Sequence, residues 1–210
     1  DQSYFLNRLP LSLLPNLIFP LGQMTKEEVR RISRQAGLPV RANQPESMEL
    51  CFIPAGGYQD FLKARRGFLG PPGDFVDPRG RLLGRHRGLE SYTVGQRRGL
   101  GIPAREPFYV IDIQPELNRV VLGHREELLA PGLLASRMNW LITPPAGEIE
   151  AVAVIRYRHP GVRARITPRG EGEVKVAFET PQSAVAPGQA VAFYDRDRLL
   201  GGGWIEERMK

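Results

Sequence analysis

From about residue 73 onward the chain is written in short apolar runs separated by turn residues, and no other feature narrows the fold so far. Strands are expected near 138–142, 149–158, 162–167, 173–179, 189–194 and 198–206. Six short strands at regular spacing within about 80 residues predict a small antiparallel barrel. Ahead of them, 74–77 and 81–84 read as a hairpin about Pro78-Arg79-Gly80. A second hairpin is expected from 108–113 and 119–122, joined through 115–118. Residues 128–132, between the two groups, read as a linker.

The front of the chain follows a different period. Thr25-Lys26-Glu27-Glu28 is a capping box, in which the threonine accepts from the N3 amide and Glu28 reaches back. Val29, Ile32 and Ala36 then share one face, Gly37 supplies a C′ position and Pro39 prevents continuation, so a helix is expected over 26–36. Tyr58, Phe61 and Leu62 predict a short helix over 57–65. With 210 residues, 41% of them apolar, the chain can bury a real core. The fold class expected is mixed α/β, mostly β: a short helical N-terminal segment, a small central β-rich domain and a C-terminal antiparallel β-barrel.

A net charge of +6 suits a partner of polyanions, or equally a protein from an arginine-rich proteome. A single cysteine excludes an internal disulfide and any multi-cysteine zinc site. His86, His124 and His159 make no ligand spacing, so no metal is expected. The apolar stretch 9–21 is broken by Pro10, Pro15 and Pro20 and cannot span a bilayer as a helix. The expectation is a cytoplasmic protein without membrane contact. Its opening, Asp1-Gln2-Ser3-Tyr4, has no initiator Met and reads as the middle of a longer protein.

Cys51, bracketed by Leu50, Phe52 and Ile53, is by residue type more often an inert buried thiol. Against that, Gln44-Pro45-Glu46-Ser47 before it is polar and a helix begins soon after, a junction where nearby arginines would favour the thiolate. Gly95-Gln96-Arg97-Arg98-Gly99-Leu100-Gly101 matches neither a P-loop nor a dinucleotide fingerprint. Arg97 and Arg98 there suit phosphates or a carboxylate; a solvated hairpin face is the alternative. Ile155-Arg156-Tyr157-Arg158-His159 is followed by Arg163, Arg165 and Arg169, with no acid from 156 to 169. Taken as a strand, it puts Arg156 and Arg158 on one face and Tyr157 on the other, a pattern suited to phosphates and a stacked base. Gln189, after Pro187-Gly188, offers a donor and an acceptor to a base edge.

Several stretches together resemble the MnmA (TrmU) family of tRNA-specific 2-thiouridylases. They are 1–6 (DQSYFL), 19–22 (FPLG), 36–40 (AGLPV), 46–53 (ESMELCFI), 92–101 (YTVGQRRGLG), 155–158 (IRYR), 187–189 (PGQ) and 200–203 (LGGG), in the family's order and across the whole chain. The resemblance implies a cytoplasmic tRNA-modifying enzyme. It would activate C2 of the wobble uridine with ATP, assisted by Mg2+, and deliver sulfur from a cysteine persulfide received from a sulfur carrier protein. By the same resemblance Cys51 carries the persulfide, and Asp1, Gln2, Arg156, Tyr157 and Gln189 contact tRNA. Residues 1–45 would be the tail of an ATP-pyrophosphatase domain, 46–130 the central domain with the persulfide cysteine, and 131–210 the tRNA-binding barrel. The family's SGGxDSS loop and first catalytic cysteine do not occur in these residues, so no cofactor site and no thiolation by the chain alone are expected. The competing readings are a non-catalytic RNA-binding barrel and a barrel whose arginines serve an acidic protein.

Overall fold

The computed structural model describes residues 2–38, 58–67 and 70–209. These fall into two compact units, one from 12–67 and the other from the N-terminal 2–11 joined with 70–209.

In the first unit, helix α1 (Lys26–Gln35) starts on the expected capping box: Glu28 N donates to Thr25 Oγ1 at 3.3 Å, and Thr25 N donates to Glu28 Oε2 at 2.7 Å. That exchange satisfies two of the amide donors a helix start leaves open, and it holds the Glu28 carboxyl below its ordinary pKa. The helix closes in a Schellman arrangement. Leu38 N reaches Ser33 O and Gly37 N reaches Arg34 O, with Gly37 at φ +62°. A proline-containing 3-10 helix (Leu11–Asn16) precedes it, and α2 (Tyr58–Arg66) occupies the place expected for a second short helix. Among the described residues no helix is long and apolar enough to cross a membrane.

The second unit opens with a sheet of four strands, β1 (Gly73–Val76), β2 (Leu82–His86), β3 (Tyr109–Gln114) and β4 (Arg119–Gly123), in the order β2-β1-β4-β3. Both expected hairpins form. Asp77 holds the first turn by accepting from Arg79 N and Arg81 N, and Asn118 closes the second in the left-handed region at φ 48°. What joins them is a parallel pairing of β1 with β4, placing Phe75 beside Val120. Phe75, Tyr92, Val110 and Leu122 bury together beneath it.

Six further strands follow: β5 (Leu129–Trp140), β6 (Ile149–Val154), β7 (Val162–Gly170), β8 (Glu173–Ser183), β9 (Ala190–Asp195) and β10 (Arg198–Arg208). They close into a barrel in the order β10-β5-β8-β7-β6-β9. Closure removes free edges, and the inward faces interdigitate around Leu133, Ile166, Val176, Phe193 and Ile205. The barrel was legible; its connection to the sheet was not. Residues 128–132, expected as a linker, end a 3-10 turn and begin β5, with Leu128 3% and Ala130 0% exposed. Leu128 packs with Val76, Ile111 and Val121 of the sheet, and Ala184 of the barrel lies against the same cluster. Sheet and barrel therefore meet at this small cluster, which is separate from the barrel's own interior.

The N-terminal 3-10 helix (Ser3–Arg8) lies across β9, β10 and β5 on a floor of small residues, where Ala192, Gly202 and Asn139 are neighbours in register. A Cβ at Gly202 would stand 2.6 Å from Asn7 Oδ1 and 2.5 Å from Val191 O, so no larger residue fits without displacing backbone. Gly202→Ala is expected to cost roughly 1–3 kcal/mol of stability by urea unfolding. Gly147→Ala, where a Cβ meets nothing within 4 Å, should stay within about 0.5 kcal/mol of the parent.

Candidate nucleic-acid interface

The N-terminal 3-10 helix is fastened to the barrel at both ends. Ser3 Oγ and Tyr194 Oη share a hydrogen bond of 3.0 Å, and Tyr4 Oη donates to Ala190 O at 2.8 Å. Burial, and secondarily the Tyr194 hydroxyl, push the Tyr4 phenol above its ordinary pKa, which keeps it a donor. At the other end Asn139 Nδ2 donates to both Asn7 O and Leu9 O at 2.8 Å. Arg8 donates to Arg137 O and lays its guanidinium 5.7 Å above the Trp204 ring. Gln2 precedes this fastened stretch and is exposed.

Arg156, Tyr157 and Arg158 do not lie on a strand. β6 ends at Val154, Ile155 turns inward at 2% exposure, and the following residues form a tight turn in which His159 N donates to Arg156 O. Arg158 takes φ 65°, a left-handed conformation that no β-strand contains. The expected division of the arginines and the tyrosine between two strand faces is therefore wrong. His159-Pro160-Gly161 carried the turn signal: Nδ1 of His159 accepts from Gly161 N at 3.1 Å, and Gly161 has φ 87°. On the ring's far side Nε2 donates to Gln182 Oε1 at 3.0 Å. Arg156 donates to Ser183 O at 3.1 Å, which ties the turn to the end of β8.

These two pieces meet. Phe5 rests on Tyr157 with ring centroids 4.9 Å apart, and Tyr4 sits edge-on to Phe5 at 5.4 Å. Gln189 adjoins the Tyr4 anchor, since Ala190 O is the acceptor of the Tyr4 hydroxyl. Its backbone is held by Ile205 N donating to Gln189 O at 2.8 Å, and the residue is exposed. The loop bearing Arg97 and Arg98 joins from the other side. Gly95 N donates to Val110 O, and a Cβ at Gly95 would stand 2.8 Å from Ala184, the neighbour of the Ser183 carbonyl that Arg156 holds. Arg97 and Arg98 are exposed. Gln2, Arg156, Tyr157, Gln189 and the 97–98 loop are thus connected through intermediates: Phe5 between Gln2 and Tyr157, Tyr4 and Ala190 beside Gln189, and Gly95 against Ala184, next to the Ser183 carbonyl that Arg156 holds. Asp1 and Cys51 lie outside the described residues.

Arg163 and Arg165 point outward from β7 but not onto a purely basic face. Arg165 is opposite Glu150 on β6, and the groove they line also holds Glu179 and Asp195. Acids remote in sequence supply what 156–169 lacks. Sequence reasoning also missed Asn7, Asn139 and Gly202, which place the N-terminal segment, although the LGGG stretch signalled an unusually close backbone approach.

Residues 1–55 match a family model described as tRNA methyl transferase HUP domain, 59–124 one described as tRNA methyl transferase PRC-barrel domain, and 130–205 one described as aminomethyltransferase beta-barrel domain. The tRNA-specific 2-thiouridylase MnmA of Carboxydothermus hydrogenoformans is 50% identical over 213 residues, covering 100% of this chain and 57% of that protein. The proteins of the same name from Geobacter metallireducens and Chlorobium chlorochromatii are 46% and 44% identical, over 56% and 58% of their lengths. The chain spans a little over half the length of these curated relatives.

Burial lowers the His159 pKa below its ordinary value, and the neighbouring Arg156 charge lowers it further against the opposing hydrogen bond to Gln182. The unfolded chain therefore binds a proton before the native state does. Stability present above about pH 6.5 should fall as the pH drops through that value. Urea midpoints followed from pH 7.5 to about 5 should decline more steeply for the parent than for His159→Asn; parallel curves would remove His159 from the acid response.

Proposed function

The chain belongs to the MnmA (TrmU) family, and from that premise we propose that it supplies the RNA-gripping surface and the sulfur-bearing thiol of a tRNA 2-thiouridylase. The supporting observation is the linked strip itself. The N-terminal 3-10 helix that follows Gln2 is fastened to β9 at Ala190, next to Gln189, and rests Phe5 on Tyr157, which supports reading these residues, matched to tRNA contacts by family resemblance, as parts of one surface. A scatter of such residues over unrelated faces would have argued for a barrel of another use.

In this proposal the arginines of the strip neutralise backbone phosphates while Tyr157, Gln2 and Gln189 meet bases. Cys51 holds a persulfide received from a sulfur carrier protein, and its outer sulfur bonds to C2 of the wobble uridine while the C2–O bond breaks and the ATP-activated oxygen leaves with the bonding pair. Cleavage of the remaining S–S bond leaves Cys51 in a disulfide with a second thiol, which this chain, having one cysteine, does not contain. The base must leave its stack for this chemistry. Among the described residues no glycine-rich loop runs from a strand into a helix, so they do not fit the phosphates of ATP. Activation of the C2 oxygen, with any Mg2+ it needs, would fall to other residues. Boundaries near 45 and 130, separating an ATP-pyrophosphatase tail, a central domain and a tRNA-binding barrel, are part of the same proposal, as is a cytoplasmic setting.

The test has two arms. The chain should bind tRNA with log K falling linearly in log salt, and Arg97→Ala and Arg98→Ala should each reduce that slope by about 1. By itself it should form no 2-thiouridine. In a protein joining this chain to an SGGxDSS loop and a second cysteine, Cys51→Ser should abolish thiolation and leave tRNA affinity within about twofold. Thiolation retained in that variant would reduce the chain to an RNA-binding module.

A further inference from the structure

We propose that Phe5 and Tyr157 form a two-ring platform on which an unpaired base of the bound RNA stacks. The platform presupposes the RNA-binding role proposed above and adds Phe5 to it as a direct contact. Phe5 is 58% exposed and Tyr157 40%, although each is the other's neighbour. Their planes are tilted by 40°, and both residues stay exposed despite the contact. A single exposed aromatic needs no explanation, but two that touch, each held so that it cannot fold inward, do.

Both rings are held. Tyr4 meets Phe5 at an interplanar angle of 78° and is itself fixed through its hydroxyl to Ala190 O. Asn139 clamps the two carbonyls that follow, at Asn7 and Leu9. Tyr157 sits in a turn pinned by Arg156 to Ser183 O and by His159 to Gly161 N and Gln182. Ordering of the aromatic contact is therefore complete before a ligand arrives, which is what preorganised recognition needs.

The surroundings select the class of ligand. Arg158, in its left-handed conformation, brings its guanidinium to 5.5 Å from the Tyr157 ring, and Arg156 lies on the other side in sequence. Flat apolar faces beside guanidinium groups fit a nucleotide, whose base offers a π-face and whose phosphate offers charge; a hydrophobic protein segment would leave the arginines unanswered. Stacking tolerates every base, so the platform grips an unpaired nucleotide without reading its identity. Gln2, whose carbonyl accepts from Phe5 N, is placed beside it to meet a base edge.

The experiment compares the full 210-residue chain with Phe5→Leu and Phe5→Tyr for binding to a fluorescent RNA hairpin with an unpaired loop and to a blunt duplex of equal length. Phe5→Leu keeps apolar bulk against Tyr4 and Tyr157 but has no π-face. It should weaken hairpin binding about 5- to 100-fold with the salt slope and duplex binding unchanged, while Phe5→Tyr stays within about threefold of the parent. The platform is overturned if Phe5→Leu binds the hairpin as the parent does, as it would were the rings a protein-docking site. It is equally overturned if hairpin and duplex affinity fall together, or if Phe5→Tyr fares no better than Phe5→Leu. A parent chain that binds neither RNA overturns the RNA-binding role itself, which distinguishes the two failures.

Discussion

Asn7 lies against β10 at a point where the opposing residue can carry nothing larger than hydrogen. Its side chain is almost wholly buried; Nδ2 donates to Tyr4 O, and among the described residues Oδ1 has no hydrogen-bond partner. An unsatisfied buried acceptor is costly, of order 1–3 kcal/mol, and three glycines in one strand lose further stability relative to β-branched residues. What these concessions secure is proximity. A Cβ at Gly201 would collide with Asn139 O and one at Gly203 would stand 2.6 Å from Ser136 O. The bare Gly202 lets the N-terminal segment settle onto the barrel, Gly201 and Gly203 let β10 close against β5, and Asn139 of β5 reaches the segment's carbonyls. Tyr4, Phe5 and Gln2 take their positions from that seating, so the candidate interface depends on it.

The same unit uses one side-chain device twice to shape irregular backbone. His86 and His159 each accept, through Nδ1, the amide of a glycine two residues on, at Gly88 and Gly161. Each donates from Nε2 to a second partner, Asn118 O for His86 and Gln182 for His159. Both rings are thereby held in the tautomer protonated at Nε2, and both turns are closed without regular structure. In the sheet the device locks β2 to the β3–β4 turn, where Asn118 also donates to Pro72 O at 3.1 Å. In the barrel it holds the turn that carries Arg156 and Tyr157. A protonated Nδ1 would face the Gly161 amide with no electron pair to offer, so the acid sensitivity of His159 belongs to the interface turn.

Local signals were legible where the physics is local. The capping box at Thr25, the αL glycine at 37 and the turn about 78–80 need only neighbours in sequence and form as expected. Six strands close the expected barrel, but the first covers Leu129–Trp140 instead of 138–142 and the second stops at Val154 instead of 158. Two of the misreadings share a cause: a partner remote in sequence decides. Residues 128–132 were expected as a linker because no short-range pattern announces that Leu128 will meet Val76 and Val121 across the sheet. The parallel pairing of β1 with β4 leaves no turn signal, since the two strands are not consecutive. Arg156 and Tyr157 were drawn into a strand by the apolar alternation before them, although His159-Pro160-Gly161 argued for a turn beginning earlier. The family resemblance named candidate tRNA-contacting residues singly; the seating of the N-terminal segment among them depends on Asn7, Asn139 and Gly202, whose roles exist only in three dimensions.

The central claim is that the N-terminal segment and the barrel present one RNA-binding surface, and backbone amide hydrogen exchange with and without tRNA tests it most directly. The account predicts that tRNA slows exchange together at 3–9, at 156–159 and around 188–189, while the outer face of β7 and β8 near Glu150, Arg165 and Glu179 is unchanged. Protection confined to that mixed-charge face, with the N-terminal segment exchanging as freely as before, would contradict it.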